Sequence, residues 1–231
     1  MNTAIIVAAG EGRRFGGDRP KQFATILGKP LIIHTLERFE ACQPIDEIVL
    51  VLSASGLSTF AQTHDVSGIS KIRSIVAGGK TRAESVRNGL NAVDAGAAEI
   101  VAVHDGARPL VTVDEIARTV GRAADTGAAC LVTVVTDTVK TIDGDRIVGT
   151  VDRRNLRRSL TPQAFRYDIL MKAFEGVDLS ENITDECYLV EKLGIAIATV
   201  EGSPRNIKIT TADDMIVAEA FLMQEITRLH V

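Results

Sequence analysis

Short apolar runs recur along the chain, separated by polar turns and by segments with a helical period. Five of these runs have the length of a buried strand, are rich in Val and Ile, and are flanked by Gly, Ser or Asp. Runs of this kind are typical of parallel strands that are covered on both faces. The predicted strands are Thr3–Ala8, Glu47–Leu52, Ile72–Ala77, Ile100–His104 and Ala129–Val135.

Helices are predicted between these strands. Pro30 suits the first turn of a helix in which Ile32, Leu36 and Phe39 share one face. A Thr followed three positions later by an acidic residue, the pattern of a capping box, marks further helix starts at Thr81 with Glu84, Thr112 with Glu115, and Thr211 with Asp214. The alternation predicts a three-layer, Rossmann-like α/β fold with a mainly parallel twisted sheet. Residues 1–231 are expected to form a single domain.

One stretch departs from the alternation. The segments Thr138–Ile142 and Arg146–Val151 flank Asp143-Gly144, which is a strong signal for a β-hairpin. An isolated hairpin is only marginally stable in water, so this one needs a surface to pack on. The pattern alone favours an extra hairpin at the edge of the sheet, and packing on another chain is the alternative.

Composition and charge disfavour several classes of protein function. Lys and Arg number 26 against 30 Asp and Glu, which gives a net charge of −4 and disfavours nucleic-acid binding. Cys42, Cys130 and Cys187 are odd in number and far apart in the sequence, and the histidines lack metal-binding spacing, so neither a disulfide framework nor a zinc site is expected. The N-terminus lacks the order of a secretory signal, and no apolar run approaches the roughly 18 residues of a membrane span. We expect a cytoplasmic protein.

Glycines and cations follow the first strand. Gly10 and Gly12 allow the backbone to approach a phosphate, and the four cations after them are Arg13, Arg14, Arg19 and Lys21. A solvated basic loop is the alternative. Because ligands bind at the carboxyl ends of strands in doubly wound sheets, this position favours a polyanion site.

Two later strand ends carry further candidates. Gly78-Gly79 follows the third strand and leads into a capped helix start, where backbone N–H groups are able to hold an anion or a base edge. Asp105 follows the fourth strand directly, beside Gly106, and is well placed for substrate or Mg²⁺. The preceding His104 is interpreted as structural rather than as a proton carrier.

Taken in order, AAGEGRRF with RPKQF, GGKTRAESV and VHDGARP resemble the sugar- and polyol-phosphate nucleotidyltransferases. Motifs of the C-terminal half narrow the resemblance to the 2-C-methyl-D-erythritol 4-phosphate cytidylyltransferase family: DTVK, VDRRNL, LTPQAF, ITDE and NIKIT. The resemblance covers about residues 3–222. One departure is Gly106, which stands where many members have alanine.

The resemblance implies a nucleotidyltransferase fold with a protruding β-hairpin arm and a Mg²⁺-dependent homodimer. The reaction would transfer a cytidylyl group from CTP to 2-C-methyl-D-erythritol 4-phosphate, with release of pyrophosphate. The nucleophile would be a phosphate oxygen that is anionic near neutral pH, so no strong general base is needed. Mg²⁺ is expected to be held mainly by the CTP phosphates, with no metal site made by the protein.

The same resemblance implies the site residues. The CTP site would comprise Ala8, Ala9, Gly10, Gly12, Gly79, Ser85, Asp105 and Gly106. Arg14 and Lys21 would stabilise the transition state. The polyol phosphate site would comprise Asp105, Arg108, Thr138, Arg153, Thr161, Thr184 and Lys208. In the family the hairpin, here about residues 137–153, reaches over a neighbouring subunit, so Arg153 would act in the partner's site together with Lys208.

Alternatives remain open for several of these residues. Without the resemblance, Thr161-Pro162 is a simple turn, Thr184 is a helix N-cap, and Lys208 is an exposed strand residue. At the level of function, a related enzyme acting on ribitol 5-phosphate or another polyol phosphate is the nearest rival. A non-catalytic nucleotide-binding regulator is a more distant one.

Overall fold

The structure is a computed structural model that describes residues 1–10, 23–63, 68–179 and 183–229. Its strands are β1 (Asn2–Ala8), β2 (Thr25–Ile26), β3 (Lys29–Pro30), β4 (Glu47–Leu52), β5 (Ile72–Ala77), β6 (Ile100–Asp105), β7 (Ala128–Val134), β8 (Lys140–Asp143), β9 (Arg146–Thr150), β10 (Arg157–Arg166) and β11 (Ala198–Glu201). Its helices are α1 (Leu31–Glu40), α2 (Ala54–Thr63), α3 (Arg82–Leu90), α4 (Val113–Thr126), α5 (Tyr167–Phe174), α6 (Glu186–Lys192) and α7 (Ala212–Leu229). All five predicted strands are present, as β1, β4, β5, β6 and β7.

A seven-stranded sheet has the order β11-β7-β10-β6-β1-β4-β5. Strand β10 is antiparallel to both of its neighbours, β6 and β7, and every other pairing in this sheet is parallel. Strand β10 was not predicted from the sequence. Its position is important because it brings Thr161 and Gln163 beside the carboxyl end of β6.

Helices cover both faces of the sheet, so the fold has three layers. Alternate side chains of a strand point to opposite faces. Accordingly, Ile6 belongs to an apolar cluster with residues of α1, α2 and α4, whereas Ile5 belongs to a cluster with residues of α3, α5 and α6. The α/β fold with a mostly parallel sheet is confirmed.

Side-chain caps define the predicted helix starts. Thr112 and Glu115 form a complete capping box, with Glu115 N 3.1 Å from Thr112 Oγ1 and Thr112 N 2.8 Å from Glu115 Oε2. At α3 only half of the box forms. Thr81 Oγ1 accepts from Glu84 N at 3.0 Å, but the Glu84 carboxylate accepts from Lys80 N instead.

The remaining predicted helix starts are those of α7 and α1, and their caps differ from each other. Thr211 and Asp214 exchange both hydrogen bonds of the box, since Thr211 N donates to Asp214 Oδ2 and Asp214 N donates to Thr211 Oγ1. Pro30 is the N-cap of α1 rather than a residue of its first turn, because its extended backbone pairs in β3.

The predicted hairpin is present as β8 and β9, which pair with each other and with no other strand that the structure describes. The edge-hairpin interpretation is therefore wrong. Ile142, Ile147 and Val148 are 66%, 67% and 60% exposed. The hairpin projects apolar side chains that no described part of its own chain covers.

The described helices include none that is long and apolar enough to cross a membrane.

Candidate active site

The carboxyl ends of four parallel strands meet at one edge of the sheet, as expected for a ligand site in this type of fold. They open into a cleft of about 800 Å³. Its walls come from the residues that follow β1, β4 and β5 and from the first turns of α3: Val7, Ala9, Gly10, Ser53, Ala54, Gly78, Gly79, Lys80, Thr81, Arg82, Glu84 and Ser85. We call this space the glycine cleft.

Close packing at Gly78 brings the start of α3 against the end of β1. A Cβ atom at Gly78 would lie 2.3 Å from the Cβ of Ala9 and 2.8 Å from Ser85 Oγ, so no larger residue fits. The Ser85 hydroxyl accepts from Gly79 N at 3.1 Å and donates to the Thr81 carbonyl oxygen at 2.9 Å. The turn is thus held rigidly beside a helix N-terminus, where the helix dipole favours negative charge.

Asp105, the last residue of β6, is buried and surrounded by three cations. Its Oδ1 lies 3.0 Å from Arg82 Nε, and its Oδ2 lies 3.3 Å from Arg108 Nε and 2.9 Å from Lys208 Nζ. Burial alone would raise the pKa of Asp105, but Arg82, Lys208 and Arg108 outweigh burial and lower this pKa well below its usual range. Asp105 is therefore a permanent anion that orients cations and is not a general base.

Next to this cluster is a second cleft of about 330 Å³, which we call the basic cleft. Its walls come from β10 and from the segments that precede α6 and follow β11: Arg82, Asp105, Arg108, Ser159, Leu160, Thr161, Gln163, Thr184, Asp185 and Lys208. The convergence of Arg82, Arg108 and Lys208 suits a phosphate group.

Gln163 links β10 to the start of α6 at the wall of the basic cleft. Its Nε2 donates to Ser159 Oγ and to Asp185 Oδ2, both at 2.9 Å. Its Oε1 accepts from the backbone N–H groups of Glu186 and Cys187, both at 3.1 Å. This amide therefore fixes the position from which Glu186 reaches the site.

The structure contradicts the three structural alternatives for the polyol phosphate residues. Thr161 lies within β10 rather than in a turn, and it is buried. The N-cap of α6 is Asp185, which accepts from Tyr188 N, so Thr184 is not the cap. Lys208 lies outside every strand and is paired with Asp105. Thr161, Thr184 and Lys208 instead line one cleft.

Most of the predicted nucleotide residues that the structure describes lie at the glycine cleft or just behind it, whereas Asp105 lines the basic cleft. Ala9, Gly10, Gly79 and Ser85 line the cleft. Ala8 is buried at the end of β1. The predicted residues Gly12, Arg14 and Lys21 lie outside the described residues.

Gly106 lies behind the cleft in close packing. A Cβ there would lie 2.7 Å from Ile32 Cδ1 and 2.9 Å from Ala8 Cβ. Its N–H donates to the Val7 carbonyl oxygen, and its carbonyl accepts from Thr35 Oγ1. The contact of Gly106 with cytidine stays a prediction. The close packing of Gly106 helps to set the shape of the floor of the glycine cleft.

Arg153 and Thr138 are exposed and line neither cleft of their own chain. The Arg153 guanidinium donates to the carbonyl oxygen of Thr136, at the base of the hairpin. The structure therefore does not bring Arg153 together with Lys208 within one chain.

Arg82 and Glu186 are two residues of the site for which no role was predicted. Arg82 Nη1 lies 2.6 Å from Glu186 Oε1, and Glu186 is fully buried. Burial raises the pKa of Glu186, an effect that Arg82 partly offsets. Both residues lie inside the motifs GGKTRAESV and ITDE, so the motifs marked their importance. Their pairing joins α3 to α6, and nothing in the local sequence of either helix reveals it.

The residues of the site are a poor match for a protein-bound Mg²⁺ ion. Both oxygens of Asp105 are occupied by cations. Across the described ranges no group of three or more His, Cys, Asp and Glu side chains is arranged to hold a metal ion. These residues do not fit a Mg²⁺ ion held by the protein. A Mg²⁺ ion would instead belong to the nucleotide substrate.

Comparison with known proteins gives a consistent result. A family model described as 2-C-methyl-D-erythritol 4-phosphate cytidylyltransferase matches residues 2–224. Proteins of that name from Syntrophus aciditrophicus and Geobacter metallireducens are 43% and 40% identical, over 98% and 96% of this chain and 97% and 98% of theirs.

Solved structures agree with the sequence relatives. The crystal structure of 4-diphosphocytidyl-2C-methyl-D-erythritol synthase from Anaerococcus prevotii is similar with a TM-score of 0.81 and 30% identity, covering 96% of each chain. That of 2-C-methyl-D-erythritol 4-phosphate cytidylyltransferase from Francisella tularensis has a TM-score of 0.80 and 33% identity, covering 95% of this chain and 98% of that one.

Proposed function

The chain belongs to the 2-C-methyl-D-erythritol 4-phosphate cytidylyltransferase family, and from this premise we propose how its two clefts carry out the reaction. It is a cytidylyltransferase, which is a class of nucleotidyltransferase. CTP binds in the glycine cleft, 2-C-methyl-D-erythritol 4-phosphate binds in the basic cleft, and the products are 4-diphosphocytidyl-2-C-methyl-D-erythritol and pyrophosphate.

The observation that carries this proposal is that the two clefts adjoin at Arg82, which lines both. The glycine cleft has the rigid turn and helix N-terminus that suit a nucleotide. The basic cleft has the cations that suit the phosphate of the second substrate. Adjoining clefts allow a phosphate oxygen in one to approach the α-phosphorus in the other.

The chemistry needs positioning more than proton transfer. A phosphate oxygen is already anionic near neutral pH, so it attacks the α-phosphorus directly as the bond to pyrophosphate breaks. The main obstacle is the repulsion between two anionic substrates, which fixed cations reduce. Arg108 and Lys208 hold the polyol phosphate, while Arg14 and Lys21 stabilise the charge that develops on the α-phosphate. A Mg²⁺ ion bound to CTP would be part of that substrate and would offset the charge of its phosphates.

The second part of the proposal is a homodimer in which the hairpin completes a neighbouring site. Its exposed Ile142, Ile147 and Val148 supply an apolar surface that a twofold partner can cover. Arg153 and Thr138, which line neither the glycine cleft nor the basic cleft of their own chain, then reach the basic cleft of the partner subunit.

The test is pyrophosphate release from each of the four common nucleoside triphosphates with a panel of polyol phosphates. We expect CTP with 2-C-methyl-D-erythritol 4-phosphate to give the highest kcat/KM. Faster turnover with ribitol 5-phosphate would contradict the assigned substrate, and release that is independent of any polyol phosphate would contradict the transfer. A Lys208→Ala variant serves as the control that links activity to the basic cleft.

A further inference from the structure

Arg82 is the single described residue that lines both the glycine cleft and the basic cleft. It is the first residue of α3, directly after the Thr81 cap. Its backbone therefore belongs to the nucleotide side of the site, and its side chain extends toward Asp105 and the polyol side. Any bond that forms between groups in the two clefts has to form close to this side chain.

Two carboxylates fix the guanidinium group of Arg82. Nε lies 3.0 Å from Asp105 Oδ1, and Nη1 lies 2.6 Å from Glu186 Oε1. A guanidinium has five N–H donors in a rigid plane. The two ion pairs with described residues use Nε and Nη1, so the guanidinium has further N–H donors beyond these two for a ligand.

Glu186 is unusual for a purely structural residue. It is fully buried, and its Oε2 has no hydrogen-bond partner among the described residues. Leaving a buried oxygen unpaired is costly, and such groups in native proteins call for an explanation. Holding an arginine in place beside two anionic substrates supplies one, because a carboxylate with no exposure to water gives a fixed and unscreened anchor.

We propose that Arg82 is a substrate-binding residue that donates hydrogen bonds to the phosphate groups of both substrates where the two clefts meet, and that Glu186 is the residue that positions it. This inference rests on the proposed function. A donor that is already oriented needs no reorganisation when charge develops in the transition state, and it is therefore more effective than a mobile cation. Asp105 at Nε and Glu186 at Nη1 provide that orientation.

The experiment compares Arg82→Lys, Arg82→Gln, Glu186→Gln and the double variant Arg82→Lys/Glu186→Gln. The matched control is Glu225→Gln, which neutralises the carboxylate of another arginine pair, Arg38 with Glu225, between α1 and α7. Pyrophosphate release gives kcat and KM for each substrate. Assays are run well below every unfolding midpoint, with folding checked by circular dichroism, so that a loss of folded protein does not contribute.

We expect Arg82→Lys to lower kcat/KM for the polyol phosphate about 100-fold, because lysine keeps the charge but lacks the planar fork. Glu186→Gln alone should lower kcat/KM for the polyol phosphate about 10-fold. Added to Arg82→Lys, the same substitution should lower kcat/KM by less than about twofold, because Glu186 acts through Arg82. Glu225→Gln should stay within about twofold of the parent. Arg82→Gln serves as the second variant if Arg82→Lys fails to fold.

Three results would overturn the inference. One is a folded Arg82 variant within about threefold of parental kcat/KM. The second is a folded Glu186→Gln protein with parental kinetics. The third is a full 10-fold effect of Glu186→Gln in the Arg82→Lys background, which would make Glu186 independent of Arg82. Each of these results is compared with a parent protein that is active with CTP and the polyol phosphate. An inactive parent would overturn the proposed function, and with it this inference.

Discussion

The imidazole Nδ1 of His104 lies 3.0 Å from the hydroxyl oxygen of Thr161 on the neighbouring strand β10. The other ring nitrogen, Nε2, lies 3.2 Å from the Arg108 carbonyl oxygen, which only accepts, so Nε2 carries the proton. Burial lowers the pKa of His104 to about 3. The ring is therefore neutral, and Nδ1 accepts from the Thr161 hydroxyl. Thr161 Oγ1 in turn accepts from Asp105 N at 3.2 Å, so a chain of hydrogen bonds fixes the end of β6.

This arrangement makes His104 a structural residue, and we expect His104→Ala to act mainly on stability. Truncation removes two hydrogen bonds and the ring contact with Phe39, whose centroid lies 4.9 Å away. The free energy of unfolding should fall by about 3 kcal/mol, the usual cost of removing a large buried side chain. Urea unfolding checks the prediction. An unchanged unfolding midpoint together with abolished activity would show that His104 is functional instead.

The buried, neutral ring of His104 also predicts how the free energy of unfolding changes with pH. The pKa of His104 is about 3 in the folded protein and about 6.5 in the unfolded chain, so the unfolded state binds more protons between these values. This group therefore stabilises the fold above about pH 6.5, and the contribution is lost as the pH falls toward 3.

The His104→Ala protein lacks that contribution. We expect the difference in unfolding free energy between parent and variant to narrow steadily as the pH is lowered from about 6.5 to about 4. Burial also lowers the pKa of His34, but His34 is present in both proteins and cancels in the comparison. A difference that stays constant over this pH range would contradict a neutral buried ring.

Asp105→Asn should reduce both activity and stability. The substitution leaves Arg82, Arg108 and Lys208 without their shared anion, and breaking a buried ion pair of this kind costs about 3 kcal/mol. Because the cations then lose their orientation toward the polyol phosphate, kcat/KM should fall about 100-fold. The structure thus adds a stability loss to what a strand-end carboxylate alone predicts.

Asp114→Asn is the matched control, since Asp114 pairs with Arg118 on the surface of α4 at 2.7 Å and is 74% exposed. Exposed pairs contribute about 1 kcal/mol or less, and neither Asp114 nor Arg118 lines the glycine cleft or the basic cleft. Urea unfolding and pyrophosphate release are measured on both variants. Parental kcat/KM in a folded Asp105→Asn protein would contradict the role of Asp105.

Acid unfolding offers a separate check on Asp105. The cations lower its pKa in the folded state despite burial. Its contribution to stability is therefore present above the ordinary aspartate pKa, about 4, and is lost as the pH falls below that value. The loss of stability below about pH 4 should be steeper in the parent than in Asp105→Asn, and equal slopes would contradict the ion pairs.

The elements that the sequence predicts well are those set by local pattern. The five predicted strands are short segments rich in apolar residues, and Thr112 with Glu115 forms the expected capping box because both partners are close in sequence. Asp143-Gly144 marks the hairpin for the same reason. In contrast, β10 was not predicted. It is interrupted by Pro162 and carries polar residues such as Gln163, which face α6 instead of an apolar layer.

In the candidate site too, local sequence predicts the position of single residues, whereas only the fold brings distant residues together. Position at a strand end predicts that Asp105 faces a cleft, and the structure confirms this placement. The partners of Asp105 come from distant segments, and only the fold brings Arg82 and Lys208 to it. The buried pairing of Arg82 with Glu186 depends on how α3 and α6 pack, which no local periodicity encodes.

The last prediction concerns Arg153 and the hairpin. Within one chain Arg153 lies apart from the basic cleft, whereas Lys208 lines it. If the hairpin completes the site of a partner subunit, each active site needs Lys208 from one chain and Arg153 from the other. Arg153→Ala and Lys208→Ala homodimers should then both be nearly inactive, because every site in them carries one defect.

Mixing the two variants tests this directly. A heterodimer has one site with both defects and one site with neither, so it should regain about half of the parental activity. Random exchange at an equal ratio makes about half of all dimers mixed, which predicts about a quarter of parental activity in bulk for independent sites. Native mass spectrometry verifies that exchange has occurred. Recovery near zero after verified exchange would mean that Arg153 acts in the site of its own chain, and the exposed side chains of Ile142 and Ile147 would then need a different partner surface.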